Sequence, residues 1–147
     1  LCKELNLLRD EFSILEHEQS SIFWNKTKNL EVFSNSKGNL LRVVVPMSET
    51  VNVIQKLKAY DINYFLDWGG SLIWLQIEDL NLKILKEIRD ITQKHSGYFT
   101  IIKIEEDLKA SADIFTIDPI KYKISEKIKK SFDPKRIFNP GKMYSGI

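Results

Sequence analysis

Gly69-Gly70 stands between two apolar, aromatic-rich runs, Ile62–Trp68 and Ser71–Ile77, and this constrains the fold more than any other stretch. Glycine accepts the positive φ of tight hairpin turns, so the spacing predicts two antiparallel strands joined at that point. Each run alternates with apolar side chains on both sides, so neither sheet face is patterned for water alone. Leu40–Val45 reads as another strand, stopped by Pro46, which cannot donate to a ladder. Tyr98–Ile104 reads as a fourth. Between strands the spacing changes to helical: Val51, Ile54 and Leu57 behind Ser48 as cap, then Leu80, Ile84, Leu85, Ile88 and Ile91 behind Asp79 as cap. Gly97 ends the second helix, with Lys94 and His95 in its last turn.

Strand, helix, strand, strand, helix, strand is the split βαβ order. The expected class is α+β: a ferredoxin-like antiparallel sheet with both helices on one face, plus extra N-terminal and C-terminal helices. Leu5, Leu8, Phe12 and Leu15 predict a first helix over roughly residues 2–18, and Ser20 or Ser21 can cap a second that carries Phe23 and Trp24. Asp118 as cap and Pro119 at the first position open a last helix, with Ile120, Ile124 and Ile128 as its inner stripe. The expected arrangement is one domain over residues 1–147, a length that buries a substantial core. Alternation sets Arg42, Phe65, Asp67, Trp74 and Thr100 on the sheet face opposite the two helices. That face is either a binding surface or the seat of the N-terminal helices.

Composition narrows the classes. No run is long and apolar enough for a membrane span, no signal peptide opens the chain, and the single Cys2 excludes an internal disulfide, so a cytoplasmic setting is expected. The net charge of +2 is unevenly spread. Lys121 to Lys142 holds eight basic residues against Glu126 and Asp133, a local +6, leaving −4 elsewhere. This basic segment is either a solvated lysine face or a surface for an anion or acidic partner. Aromatic side chains do not interleave with it as a stacking platform, so nucleic acid is not expected as a partner. His17 and His95, the two histidines, are read as ordinary surface residues, and no metal-ligand spacing occurs.

The C-terminal string Phe132-Asp133-Pro134-Lys135-Arg136-Ile137-Phe138-Asn139-Pro140-Gly141-Lys142-Met143-Tyr144 predicts a type II turn over Asn139–Lys142. Asn139 is expected to be extended, since a proline follows it. Phe132, Ile137 and Phe138 would anchor the loop on the core.

As a whole this string resembles the C-terminal signature of FAD-linked oxidases with a vanillyl-alcohol-oxidase-type flavin domain, F-D-P-x-x-I-F-N-P-G-K-M-Y with lysine or arginine after the glycine. Asp67-Trp68-Gly69-Gly70-Ser71-Leu72-Ile73-Trp74-Leu75 is similar to the D-W-G-G-A-x-x-W-L segment of the FAD-binding E subunit of bacterial glycolate oxidase. Leu41-Arg42 followed by Pro46 is similar to that family's L-W-R-x-S-x-P strand, and Phe23-Trp24 to its F-W helix. The likeness runs from about Phe23 to Tyr144. It implies that Asn139, Pro140, Gly141 and Lys142 lie against FAD, that the open sheet face with Trp74 roofs the flavin, and that Arg42 meets the flavin or a substrate carboxylate. For Arg42 the other reading is a surface arginine paired with Asp67.

The resemblance further implies a 2-hydroxy-acid substrate such as glycolate and, as partners, other glycolate oxidase subunits or a separate FAD-binding domain. Any membrane association would run through those subunits. Three departures stand beside it. The family's N-terminal FAD-binding domain is not within these residues, Ser96-Gly97-Tyr98-Phe99-Thr100 replaces its G-G-H-A-T with Tyr98 at the histidine position, and Lys142 stands where arginine is commoner. A chain with no complete catalytic constellation is either the C-terminal, flavin-capping part of such an oxidoreductase or a non-catalytic split-βαβ module that scaffolds a partner.

Overall fold

The computed structural model describes residues 14–34, 38–109, 111–116, 118–142, 144 and 147. The chain divides into two compact units, with the boundary after Ser36.

In the first unit, α1 (His17–Lys28) carries Phe23 and Trp24, whose rings meet edge-on at 5.4 Å. It opens earlier than the serines predict: Glu16 is the capping residue and its side chain makes no capping hydrogen bond, so Ser20 and Ser21 fall inside the helix. Leu30, at φ 54°, turns the chain out of it. The predicted helix over 2–18 lies mostly outside the described residues, and Ile14, Leu15 and Glu16 are not helical.

The second unit is the split βαβ sandwich. Its order is β1 (Asn39–Val44), α2 (Thr50–Leu57), β2 (Ile62–Asp67), β3 (Leu72–Ile77), α3 (Leu82–Lys94) and β4 (Tyr98–Lys103). The sheet runs β2-β3-β1-β4 and every pairing is antiparallel. Period-two alternation sends Leu41, Val43, Ile73, Leu75, Phe99 and Ile101 to one face. There they form the core with Val53, Ile54 and Leu57 of α2 and Leu85 and Ile88 of α3.

Three local signals differ from expectation. Ser48 does not cap α2; a turn of 3-10 helix at Met47–Glu49 leads in, and the Thr50 hydroxyl donates to the Gly70 carbonyl at 2.6 Å. Asn81, not Asp79, caps α3, accepting from the Ile84 N–H at 3.0 Å. The hairpin loop has four residues, Trp68–Ser71, because Trp68 itself takes a positive φ of 52° and leaves the strand; Gly69 and Gly70 follow at 64° and 100°.

At the end of α3 the left-handed residue is Ser96, at φ 56°. Gly97 serves the packing instead: a Cβ there would lie 2.4 Å from Val45 Cγ1 and 2.5 Å from the Val44 carbonyl oxygen. Buried Asn39 closes the other end of the sheet, donating to the carbonyls of Ile77 and Glu78 and accepting from the Glu105 N–H at 2.8 Å. The polar stretch after β4 holds α4 (Glu106–Lys109) and a strand-like segment beside β4, with Ile101 N–H bonded to the Ile114 carbonyl and Thr116 N–H to that of Phe99. The last helix, α5 (Pro119–Phe132), follows.

Candidate functional site

The residues expected to form a site fall into two groups, one at the C-terminal turn and one on the sheet face away from α2 and α3. The first begins at the start of α5. Asp118 accepts from the N–H groups of Ile120 (2.8 Å) and Lys121 (3.1 Å), and Pro119 occupies the first helical position, as the residue types dictate.

The helix ends at Phe132, and Asp133, the next residue, organises the C-terminal loop. Asp133 is buried, with 7% of its surface exposed. Its carboxylate meets the Lys129 ammonium at 2.8 Å and accepts from the N–H groups of Ile137 (2.9 Å) and Phe138 (3.0 Å). Lys129 also donates to the Phe138 carbonyl. The lysine hydrogen bond first, with the two backbone donors behind it, outweighs burial and holds the Asp133 carboxyl down at about 2.

This clasp presents the turn. The Lys142 N–H bonds to the Asn139 carbonyl at 3.2 Å, with Pro140 and Gly141 (φ 70°) at the central positions, matching the type II expectation. Asn139 is not extended, however. It sits at φ 46°, a conformation that its short polar side chain tolerates better than most. All four turn residues are exposed, and a Cβ on Gly141 would meet nothing within 4 Å. A groove of about 490 Å³ lies here, lined by Lys129, Phe138, Asn139, Lys142 and Ile147.

Register assembles the second group. Phe65 pairs with Trp74, Trp74 with Arg42, Arg42 with Thr100, and Thr100 with Phe115. Directly opposed residues project to one face, so these five make a single half-buried row across the sheet. The Arg42 guanidinium lies 4.9 Å from the centre of the Trp68 ring, a cation–π arrangement. The alternative pairing with Asp67 does not form: that carboxylate accepts from the Trp68 N–H at 2.7 Å. Among the described residues Arg42 has no carboxylate partner.

Arg42 and Trp74 are thus brought together, and Asn139, Pro140, Gly141 and Lys142 are brought together, with no direct hydrogen bond, ion pair or ring contact between the two groups among the described residues. Aromatic rings connect their surroundings: Phe115, at the end of the row, lies 6.1 Å from Tyr144, and Tyr144 lies 5.8 Å from Tyr122 of α5. Sequence reasoning missed Lys129, Asp133, Phe115 and Trp68. The i, i+4 spacing of Lys129 and Asp133 is the signal that finds the clasp. Phe115 lay in a stretch with no strand pattern.

Three further expectations are corrected. Ile120, Ile124 and Ile128 are not an inner stripe: they are 71%, 53% and 54% exposed, and Phe132 is 85% exposed. The half-buried side of α5 is Tyr122, Ser125 and Lys129. Ile137 and Phe138 are exposed too, so the loop is anchored by the Asp133 clasp instead of by apolar packing. His95 is not an ordinary surface residue, its side chain being 13% exposed. Its Nδ1 meets Glu49 Oε2 at 2.5 Å and its Nε2 meets the Lys56 ammonium at 2.7 Å, joining the end of α3 to both ends of α2.

Residues 115–143 match the family model of FAD linked oxidases, C-terminal domain. This match supports a relation of the C-terminal segment to the FAD-linked oxidases. Comparison with curated proteins and with solved structures gives no match. Among the described residues no helix is long and apolar enough to cross a membrane.

Proposed function

We propose that this chain is the C-terminal part of an FAD-linked 2-hydroxy-acid oxidoreductase of the glycolate oxidase type, completing a flavin site whose diphosphate-binding part lies outside residues 1–147, on a further segment or on another chain. The observation that carries the reading is the exposed Asn139–Lys142 turn, presented by the Lys129–Asp133 clasp inside the segment that matches FAD-linked oxidases. The residues fit a flat, polar-edged ring. Open space over Gly141 admits close approach, the Asn139 amide and Lys142 ammonium offer donors, and Phe138 offers an apolar wall.

FAD, when bound, supplies the hydride acceptor for oxidation of the hydroxy acid. The residues of this chain bind and orient. Arg42, with no carboxylate partner among the described residues and flanked by Trp74 and Trp68, is suited to receive a substrate carboxylate through its planar fork. The aromatic row around it would keep water from that ion pair and so strengthen it.

The test combines the purified chain with FAD and an FAD-binding domain of this oxidase class, recording flavin absorbance and glycolate-dependent dye reduction. The expected result is a flavin spectrum altered by the wild-type chain and unaltered by Gly141→Val. Absence of bound flavin in the combined sample would sink the reading. Arg42→Ala is expected to raise the KM for glycolate at least about tenfold, as befits a lost charged hydrogen bond, while the flavin spectrum stays as in wild type.

A further inference from the structure

α5 faces the wrong way for a helix whose own domain is its only partner. At 100° per residue, Ile120, Ile124, Ile128 and Phe132 succeed one another down a single stripe, and every one is more than half exposed. Exposed Ile137 and Phe138 continue it past the helix end, directly before the Asn139–Lys142 turn. Lys123 and Lys127 run along its border, within a segment of local charge +6. The half-buried side is polar instead, Tyr122, Ser125 and Lys129, with Tyr122 and Lys129 turned to the C-terminal loop. A contiguous apolar surface of this kind, rimmed by one sign of charge, marks an interaction site.

Three kinds of occupant fit an apolar strip: a second copy of this chain, an anionic lipid surface, or a protein with an apolar channel and an acidic rim. In a symmetric pair the lysine borders would face one another, which disfavours the second copy. Continuity favours the protein over the lipid. The stripe runs into the turn, and the stretch that matches FAD-linked oxidases, residues 115–143, contains both.

We infer that the Ile120–Phe138 stripe is the docking face for an acidic-rimmed apolar channel on the flavin-carrying domain, and that docking there is what delivers the turn to the flavin. This rests on the function proposed above. The stripe supplies affinity and the turn supplies the flavin contact, so the two are separable.

Sedimentation equilibrium of the full chain with an FAD-loaded flavin domain of this oxidase class, monitored at the flavin band, reads association; the shape of that band reads flavin contact. Ile124→Lys with Ile128→Lys should weaken association at least about a hundredfold, since apolar anchors at the centre of an interface each account for a tenfold or larger share. Ile124→Ala with Ile128→Ala should weaken it less, and circular dichroism melts of both variants should match wild type because these side chains are exposed. Gly141→Val should associate like wild type and lose the change in band shape. Association that is insensitive to the stripe variants overturns the inference while leaving the proposed function standing. Stripe-dependent binding to vesicles of anionic phospholipid, or stripe-dependent self-association, with none to the flavin domain also overturns it. Stripe-dependent association without any change in the flavin band would instead overturn the proposed function and leave the docking face.

Discussion

Replacing Gly97 by alanine isolates a close approach of backbone to backbone. Gly97 comes after the left-handed Ser96 at the end of α3 and does not itself have a positive φ, so alanine meets no conformational penalty there. The obstacle is space. The new methyl group would lie 2.4 Å from Val45 Cγ1, 2.5 Å from the Val44 carbonyl oxygen and 3.0 Å from Thr92 Cγ2. A valine can rotate, but Val44 belongs to a central strand paired on both sides, so its oxygen yields only if the sheet shifts. Overpacking of this kind costs about 1–3 kcal/mol. For a chain of this length, at about 3 °C per kcal/mol, the midpoint of thermal unfolding should fall by about 3–9 °C. The neighbouring change makes the contrast: Ser96→Gly relieves a left-handed residue and should leave stability equal or raised by up to about 1 kcal/mol. Urea unfolding of both variants, with the slope unchanged, measures the two effects. If Gly97→Ala were as stable as wild type while Ser96→Gly was unstable, the steric assignment would be wrong.

Asn81→Ala should cost about 1 kcal/mol in urea unfolding, through loss of the bond to the Ile84 N–H, whereas Asp79→Ala should lie within about 0.5 kcal/mol of wild type. Asp133 has its carboxyl lowered in the folded state, so its contribution is fully present above the ordinary carboxylate range and is lost as pH falls toward about 2. Titration of its side-chain carbon by NMR should show that low midpoint, and Lys129→Met should move it upward; a midpoint near the ordinary value in wild type would contradict the clasp. His95→Ala removes the link between Glu49 and Lys56, and the Glu49 carboxyl, held low chiefly by that histidine, should titrate closer to its ordinary value.

The architecture was readable because two periods alternate cleanly along residues 40–104, and a sheet of that order has few ways to close. Register is then set by the hairpin, which is why Arg42, Phe65, Trp74 and Thr100 do share a face. Local errors arose where two residues compete for one role. Asp79 and Asn81 are both good caps, and only the exact start of α3 selects the second. Ser96 and Gly97 both end a helix, and the choice of glycine was made by Val44 and Val45, which are distant in sequence. Trp68 left its strand because Asp67 caps its N–H and the loop takes four residues, a geometry that aromatic strand propensity does not reveal.

The largest departure, the orientation of α5, has a different origin. Amphipathic spacing says that a stripe will be covered but is silent on what covers it. The rotation of α5 is set by polar contacts: Asp118 fixes its first turn, and Lys129 must point inward to hold Asp133. Once Lys129 faces the C-terminal loop, residues near it on the wheel, Ser125 and Tyr122, turn the same way, and the isoleucines 100° to 180° away turn outward. A sequence that spends its inward face on a lysine and a tyrosine while leaving three isoleucines and a phenylalanine in water is inconsistent as an isolated domain, and such inconsistencies are where function is expected. The same ion pair that turns the stripe outward also shapes the Asn139–Lys142 turn, so the proposed docking face and the proposed flavin-contact loop are consequences of one interaction. Lys129→Met should therefore weaken flavin-domain association and flavin contact together, where the stripe and turn variants affect them one at a time; an effect on only one of the two measurements would show that they are built independently.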